Sequence, residues 1–428
     1  MSGFTEAQAR LEQILVEFAG EVYPTWLKAG SLDDYLNSGP WRHSSELRNV
    51  DVQTLLSEDP LLARMHPSPY VEHFGRLGYV DSDSGGGTLL SSTFVGDCLL
   101  EAWDDTWLSG QDPSVDSFRD SVSSLFKTLL RGLRGETIPV KIRTGIGGIA
   151  LPESMRELEL PYGWIRSVPD GWLERRCEPS LRQSGEPVLA IFEAVIQTPL
   201  TIVPDPGGDE SAPKRLPSQP WAERRKWWRN LRFALALVKQ MPVEETWQYA
   251  FLRVGGGFHD MLPTSRFTPR TLTPDDAANW QRLARLVAEA PVDHIEVAMD
   301  RAAMLLDGSE HPFDQLLNAV MVWENLVSAT PETTFRICGS LAWILAREPE
   351  ERLQRFKHLS DIYSLRSKVV HGQEHLPAAK NELAYSVRPL TIEILRELVE
   401  HYPELIALKT APERSKAVLL KGDACRRP

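Results

Sequence analysis

Cysteine is scarce in this chain. Four residues in 428 (Cys98, Cys177, Cys338, Cys425), with no CxxC spacing, give neither a zinc knuckle nor a disulfide framework. A reducing, cytoplasmic location is the economical expectation. No apolar run approaches the roughly 20 residues that cross a bilayer. The first ten residues are polar, and the apolar stretch Ile14–Ala19 is too short for the core of a secretory signal. Glycine-rich nucleotide fingerprints are incomplete. Gly145-Ile-Gly147-Gly148 lacks the final spacing of a dinucleotide loop, and Gly255–Gly257 lacks the Lys-Ser/Thr of a phosphate loop, so both read as turns. The histidines form no helical ligand pair, so no metal and no cofactor is expected. Positive charge is also short: the chain carries a net −12, which argues against a general polyanion binder.

The deficit is local. Residues 1–120 hold 20 acidic and 7 basic side chains, a net of −13, which leaves residues 121–428 near +1. A chain of 428 residues with 42% hydrophobic side chains is long enough for several domains. The expected class is α+β and multidomain: a mainly helical acidic N-terminal region, a small β-rich middle and a C-terminal antiparallel helical bundle. In the acidic region (1–130), Leu11, Leu15, Phe18 and Val22 recur at helical spacing, and Leu55, Leu61, Leu62 and Phe94–Trp107 mark further short helices. Residues 137–204 alternate or are β-branched between Gly and Pro turn signals, with Leu160–Gly163 as a turn between strands and Pro199 as a sheet edge or a break. A proline-rich linker (205–220) follows, then a basic, aromatic helix and Gly-rich loop (221–272). Interleaved Arg224, Arg225, Lys226, Trp228 and Arg229 suit single-stranded RNA, by stacking and phosphate contact. An amphipathic helix that packs its tryptophans and solvates its arginines accounts for the same residues.

From Thr273 the pattern is helical. Thr273 caps, Pro274 suits the first helical position, and Asp275 and Asp276 favour the positive helix end. Ile295, Met299, Ala302 and Leu306 form one stripe. Phe313–Ala329 is a second helix, a third opens at Thr330-Pro331-Glu332, a fourth runs from Pro349 to Val370, and a fifth spans Ala379–His401. Short connections between long helices make this bundle, residues 274–405, antiparallel. The basic tail, 409–428, is expected to fray.

The fourth helix carries the segment Asp361-Ile-Tyr363-Ser-Leu-Arg366-Ser367-Lys-Val-Val-His371-Gly372. An arginine, four residues, then a histidine at a helix end resembles the HEPN ribonuclease motif. The flanking Tyr363, Leu365, Val369-Val370 and Gly372 resemble the Apea-like HEPN family, associated with abortive phage infection. Upstream, Phe313–Leu326 with Glu324 resembles that family's preceding helix, with Trp323 where leucine is usual, and Phe335-Arg336-Ile337 resembles the next. The resemblance spans about residues 280–400. It implies an RNA endonuclease that needs no metal, works as a homodimer with both motifs in one cleft, and leaves a 2′,3′-cyclic phosphate and a 5′-hydroxyl. Arg366 and His371 would be catalytic, with Glu324, Tyr363 and Ser367 in support. RNA and a phage-derived trigger would be the partners, with the front of the chain sensing or restraining and no membrane involved.

These residue types fit the chemistry. Histidine titrates near neutral pH and can accept or donate the proton that moves, while arginine keeps its charge and presents a planar fork to phosphate oxygens. Phe356, Leu359, Tyr363, Arg366 and Val370 share one helix face. His371 falls about 140° around from Arg366 if the helix continues. Alternatives stay open: Arg366 paired with Glu324, and His371 capping the helix, describe a non-catalytic interaction or dimerisation protein, and a nucleotide-binding module is a third reading.

Overall fold

In a computed structural model of the chain, the described residues are 4–28, 54–65, 70–71, 87–88, 94–108, 113–170, 172, 185–199, 202–203, 219–250, 264–307, 311–328, 333–371 and 378–426. The fold is α+β and divides into two compact units: Met1–Arg225 with Glu244–Thr271, and Lys226–Val243 with Leu272–Pro428. The linker at 205–218, Gly255–Gly257, the cap at Thr330-Pro331-Glu332 and Gly372 lie outside the described residues. Among the described residues, no helix is long and apolar enough to cross a membrane.

In the first unit, helices α1 (Glu6–Lys28), α2 (Phe94–Leu108) and α3 (Val115–Leu133) pack together. Leu11, Leu15, Phe18 and Val22 are buried, as their spacing requires. The start of α3 is fixed by a capping box between Ser114 and Ser117. A five-stranded antiparallel sheet runs in the order β5-β1-β4-β3-β2, from β1 (Thr137–Gly147), β2 (Glu157–Leu160), β3 (Gly163–Ser167), β4 (Ala190–Pro199) and β5 (Glu244–Ala250). The β-rich region is therefore not confined to 137–204. The segment expected to be only helix and loop, 221–272, supplies the edge strand β5, paired with β1 from Glu244↔Gly147 to Ala250↔Ile142. Gly145 and Gly147, read as a turn, lie inside β1, because pairing holds the backbone extended, Gly145 between Trp247 and Ile191 and Gly147 against Glu244; the turn falls at Gly148, with φ +89°. The hairpin at Leu160–Gly163 is where it was expected. Gly163 is required there: its φ is +152°, and a Cβ would sit 2.1 Å from the Glu193 carbonyl oxygen.

Helix α4 (Gln219–Val238) contributes Gln219–Arg225 to the first unit and the rest to the second. The second unit adds α5 (Pro274–Glu289), α6 (Glu296–Leu306), α7 (Pro312–Val327), α8 (Thr333–Leu345), α9 (Pro349–Val370), α10 (Ala378–His401), α11 (Pro403–Ala407) and α12 (Ala411–Lys421). The cap read at Thr273 is a full capping box with Asp276, followed by Pro274. At the centre lies α7, packed against α6, α10 and α12, with Leu316, Val320, Trp323 and Leu326 all buried. Trp323 donates its indole N–H to Thr391 at 3.0 Å, and Trp280 donates to the Leu231 carbonyl at 2.9 Å, so both large side chains bury without orphaning a donor.

The basic tail does not fray. Thr410 and Glu413 form a capping box, and α12 packs on α7 and α8 with Val418 buried and Ser415 hydrogen bonded to Ser340. Arg414, 3% exposed, donates to the carbonyls of Asn325, Leu326 and Leu408, each at 2.7 Å. The first two are among the final four carbonyls of α7, which have no partner within their own helix. A basic residue that was expected to be solvated instead closes the end of the central helix.

Candidate active site

The fourth bundle helix forms where its sequence placed it. Pro349 occupies its first turn, Glu350 and Glu351 follow, and Lys368 stands in the last turn. Its buried face differs from the expected one. Leu359, Ile362 and Leu365 are buried, whereas Phe356, Tyr363 and Arg366 are half-buried and Val370 is 49% exposed. The helix packs chiefly on α8, and that contact turns the Leu359–Leu365 line inward. Tyr363 and Arg366 consequently stand at the rim of the core, where a polar group keeps access to water.

Opposite them, in the last turn of α7, is Glu324. Its neighbours Trp323 and Val327 are buried, and its own side chain is 30% exposed. The Tyr363 hydroxyl donates to Glu324 Oε1 at 2.9 Å. Arg366 Nη2 stands 4.0 Å from the same oxygen, within ion-pair range and beyond hydrogen-bond distance. Among the described residues this is the one polar partner found for the Arg366 guanidinium, which is 27% exposed. Burial pushes the Tyr363 phenol up to about 12, reinforced by its hydrogen bond to Glu324 and by the carboxylate charge; the Arg366 charge opposes the shift. Tyr363 is therefore a hydrogen-bond donor throughout the physiological range. Cys338, nearby on α8, is buried, and burial raises its thiol pKa, which disfavours the thiolate.

Helix α9 ends at Val370, and His371 is its C-cap, with φ −87° and ψ 7°. The His371 backbone N–H donates to the Ser367 carbonyl at 3.1 Å. The His371 side chain is exposed, and Ser367 is half-buried. The structure thus brings Glu324, Tyr363 and Arg366 together as one cluster and sets His371 on the same helix, five residues beyond Arg366. Among the described residues, no group of three or more His, Cys, Asp or Glu side chains could hold a metal ion.

No protein-family model matches this chain, and neither a curated protein nor a solved structure is similar to it.

The basic helix α4 departs from the RNA-contacting expectation. Trp228 is 6% exposed and packs in the core. Arg224 is 1% exposed, donating to Thr144 at 2.6 Å and to Glu245 at 2.9 Å. Neither side chain can stack on a base from there. Lys226 pairs with Asp293, and Arg229 pairs with both Asp293 and Glu296. Arg225 is exposed. Asp293 and Glu296 lie more than 60 residues downstream of Lys226 and Arg229, so the local sequence showed the cations of this helix and concealed those partners.

One polar cluster was not anticipated at all. Arg143 on β1 is fully buried and ion-paired to Glu101 (3.1 Å) and Asp105 of α2 and to Glu193 (2.7 Å) of β4. Lys141 also reaches Asp105 at 2.8 Å, and Arg166 joins Glu193 at 3.2 Å. Burial drives the Glu101 carboxyl up to about 7, although Arg143 opposes the shift. The Arg143 guanidinium holds Asp105 and Glu193 below the usual carboxylate range despite their burial. A signal existed: Lys141 and Arg143 occupy alternate strand positions, as do residues of one sheet face, and Glu101 and Asp105 are four apart on a helix.

Proposed function

We propose that this chain is an RNA endonuclease of the HEPN type, with Arg366 and His371 carrying the reaction. The observation that supports the reading is that neither side chain is consumed by the fold. Arg366 keeps its fork donors beyond hydrogen-bond reach of Glu324, and the His371 imidazole is exposed at the helix end. The disposition that would argue for a purely structural pair is a closed, buried Arg366–Glu324 bridge with hydrogen bonds at about 2.7–2.9 Å.

The reaction follows from the residue types. The ribose 2′-oxygen attacks the adjacent phosphorus, the bond from phosphorus to the 5′-oxygen breaks, and the products are a 2′,3′-cyclic phosphate and a 5′-hydroxyl. One proton leaves the 2′-hydroxyl and one must reach the departing 5′-oxygen. A neutral imidazole at His371 serves as acceptor, or its protonated form as donor. Arg366 binds the non-bridging oxygens and stabilises charge that accumulates on them. The mechanism asks for no metal ion. Five residues of helix separate the two by about 7.5 Å along the axis and about 140° around it. Two copies of the chain, facing each other across the motif, would give one phosphodiester both an acceptor and a donor; a homodimer is part of the proposal. The activity would serve as an effector in antiphage defence, with the preceding regions sensing infection or restraining the bundle. Induced expression should arrest growth and fragment cellular RNA, and both effects should disappear with Arg366→Ala or His371→Ala. Equal toxicity from the double variant would sink the reading.

A further inference from the structure

Two donors converge on one carboxylate oxygen, and only one of them has closed. Glu324 Oε1 accepts the Tyr363 hydroxyl at 2.9 Å while Arg366 Nη2 remains at 4.0 Å. A half-buried arginine beside a carboxylate ordinarily closes to a two-bond fork at about 2.7–2.9 Å. A closed fork would offer the same N–H groups to Glu324 that a phosphodiester needs. Tyr363 cannot drift out of this arrangement by losing its proton, since its phenol is pushed up to about 12. It is anchored on α9 beside the buried Ile362, one helical turn before Arg366, and Glu324 is anchored in the last turn of α7 beside the buried Trp323.

We infer that Tyr363 is a positioning residue whose hydroxyl ties Glu324 back from Arg366 and so keeps the arginine fork open to a phosphodiester. The inference rests on the proposed role of Arg366. Glu324, tied back in this way, stands within ion-pair range of the guanidinium without occupying its N–H groups. Removing the hydroxyl leaves Oε1 without its donor, and the nearest replacement is Arg366 Nη2.

The test is binding of a fluorescent single-stranded oligonucleotide with 2′-O-methyl riboses, which cannot be cleaved, to the full-length protein and its variants by anisotropy. Arg366→Ala defines the Arg366-dependent part. Tyr363→Phe should weaken that part about three- to fivefold, the scale of a partly exposed ion pair that must now be opened. Glu324→Gln should bind at least as tightly as wild type, because its amide oxygen still accepts from Tyr363 but no longer attracts the arginine. The double variant Tyr363→Phe/Glu324→Gln should return to the Glu324→Gln level, a rescue that a loss of packing at Tyr363 would not produce. Tyr363→Phe equal to wild type, with Arg366→Ala weakened, overturns the inference and leaves the proposed function standing. A double variant as weak as Tyr363→Phe overturns it as well. Binding unchanged in Arg366→Ala removes the proposed function and the inference together. Where Tyr363→Phe does not fold, Glu324→Gln alone decides, and weaker binding than wild type overturns the idea.

Discussion

Replacing Arg414 with methionine keeps most of the buried aliphatic stem and removes the guanidinium. Three carbonyls, of Asn325, Leu326 and Leu408, then lose donors that lie at 2.7 Å. A hydrogen bond from a charged donor contributes about 1.5–3 kcal/mol, so the gross loss is on the order of 4–9 kcal/mol. Taking the arginine out of the interior returns part of that, because its burial itself costs solvation; burial already lowers the Arg414 pKa. A net destabilisation of about 3–5 kcal/mol remains, a large share of the roughly 5–15 kcal/mol that holds an ordinary domain together. The loss should be local first, since the orphaned carbonyls belong to the last turn of α7. Urea unfolding followed by tryptophan fluorescence should show a transition lowered by about 1–2 M. Hydrogen exchange should speed up in the last turn of α7 and in α12 before it does so in α5. A shift worth less than about 1 kcal/mol, or exchange that is unchanged at the end of α7, would refute the assignment of Arg414 as the cap of that helix. The result also bears on the site, because Glu324 lies in the same turn.

Other consequences are simpler to check. Glu101 has a folded pKa of about 7 against an ordinary value of 4.5. Its contribution is therefore fully present below about pH 4.5 and is lost as pH rises through 7. Glu101→Gln should flatten the pH dependence of first-unit stability between about pH 5 and 7.5 in denaturant titrations, and an unaltered pH profile would count against it. Arg143→Met leaves Glu101, Asp105 and Glu193 buried without their common partner and should destabilise that unit by about 3–5 kcal/mol; a change below about 1 kcal/mol would show that the acids can reach solvent. Lys226→Ala and Arg229→Ala should leave oligonucleotide affinity within about twofold of wild type, since both cations are already paired with Asp293 and Glu296. A larger drop in anisotropy titrations would return this helix to the RNA-binding surface.

What could be read ahead of the structure was local. The Thr273–Asp276 cap, the stripe from Ile295 to Leu306 and the limits of the Pro349–Val370 helix rest on spacing within one or two turns, and each formed as read. Partnerships across long separations were not legible. Strand β5 was missed because its pairing with β1 lies about 100 residues away, and the tail helix because its basic composition masked its start signal. Its Thr410-Ala-Pro-Glu413 start has the same cap, proline and acid as Thr273, and Arg414 finds its acceptors near residue 325. The candidate site sits between these cases. Arg366 and His371 stand out from their motif, and Glu324 was named as a partner. The rotation of α9 that moves Arg366 and Tyr363 to the rim depends on α8, and no periodicity within α9 reveals it.

The central claim is catalysis by Arg366 and His371, and its most direct test is cleavage of single-stranded RNA by purified full-length protein with the product ends mapped. The account predicts 2′,3′-cyclic phosphate and 5′-hydroxyl ends from wild type, with cleavage reduced by at least about a hundredfold in Arg366→Ala and in His371→Ala at unchanged melting temperature. Equal cleavage by the double variant, or products ending in 3′-hydroxyl and 5′-phosphate, would contradict it.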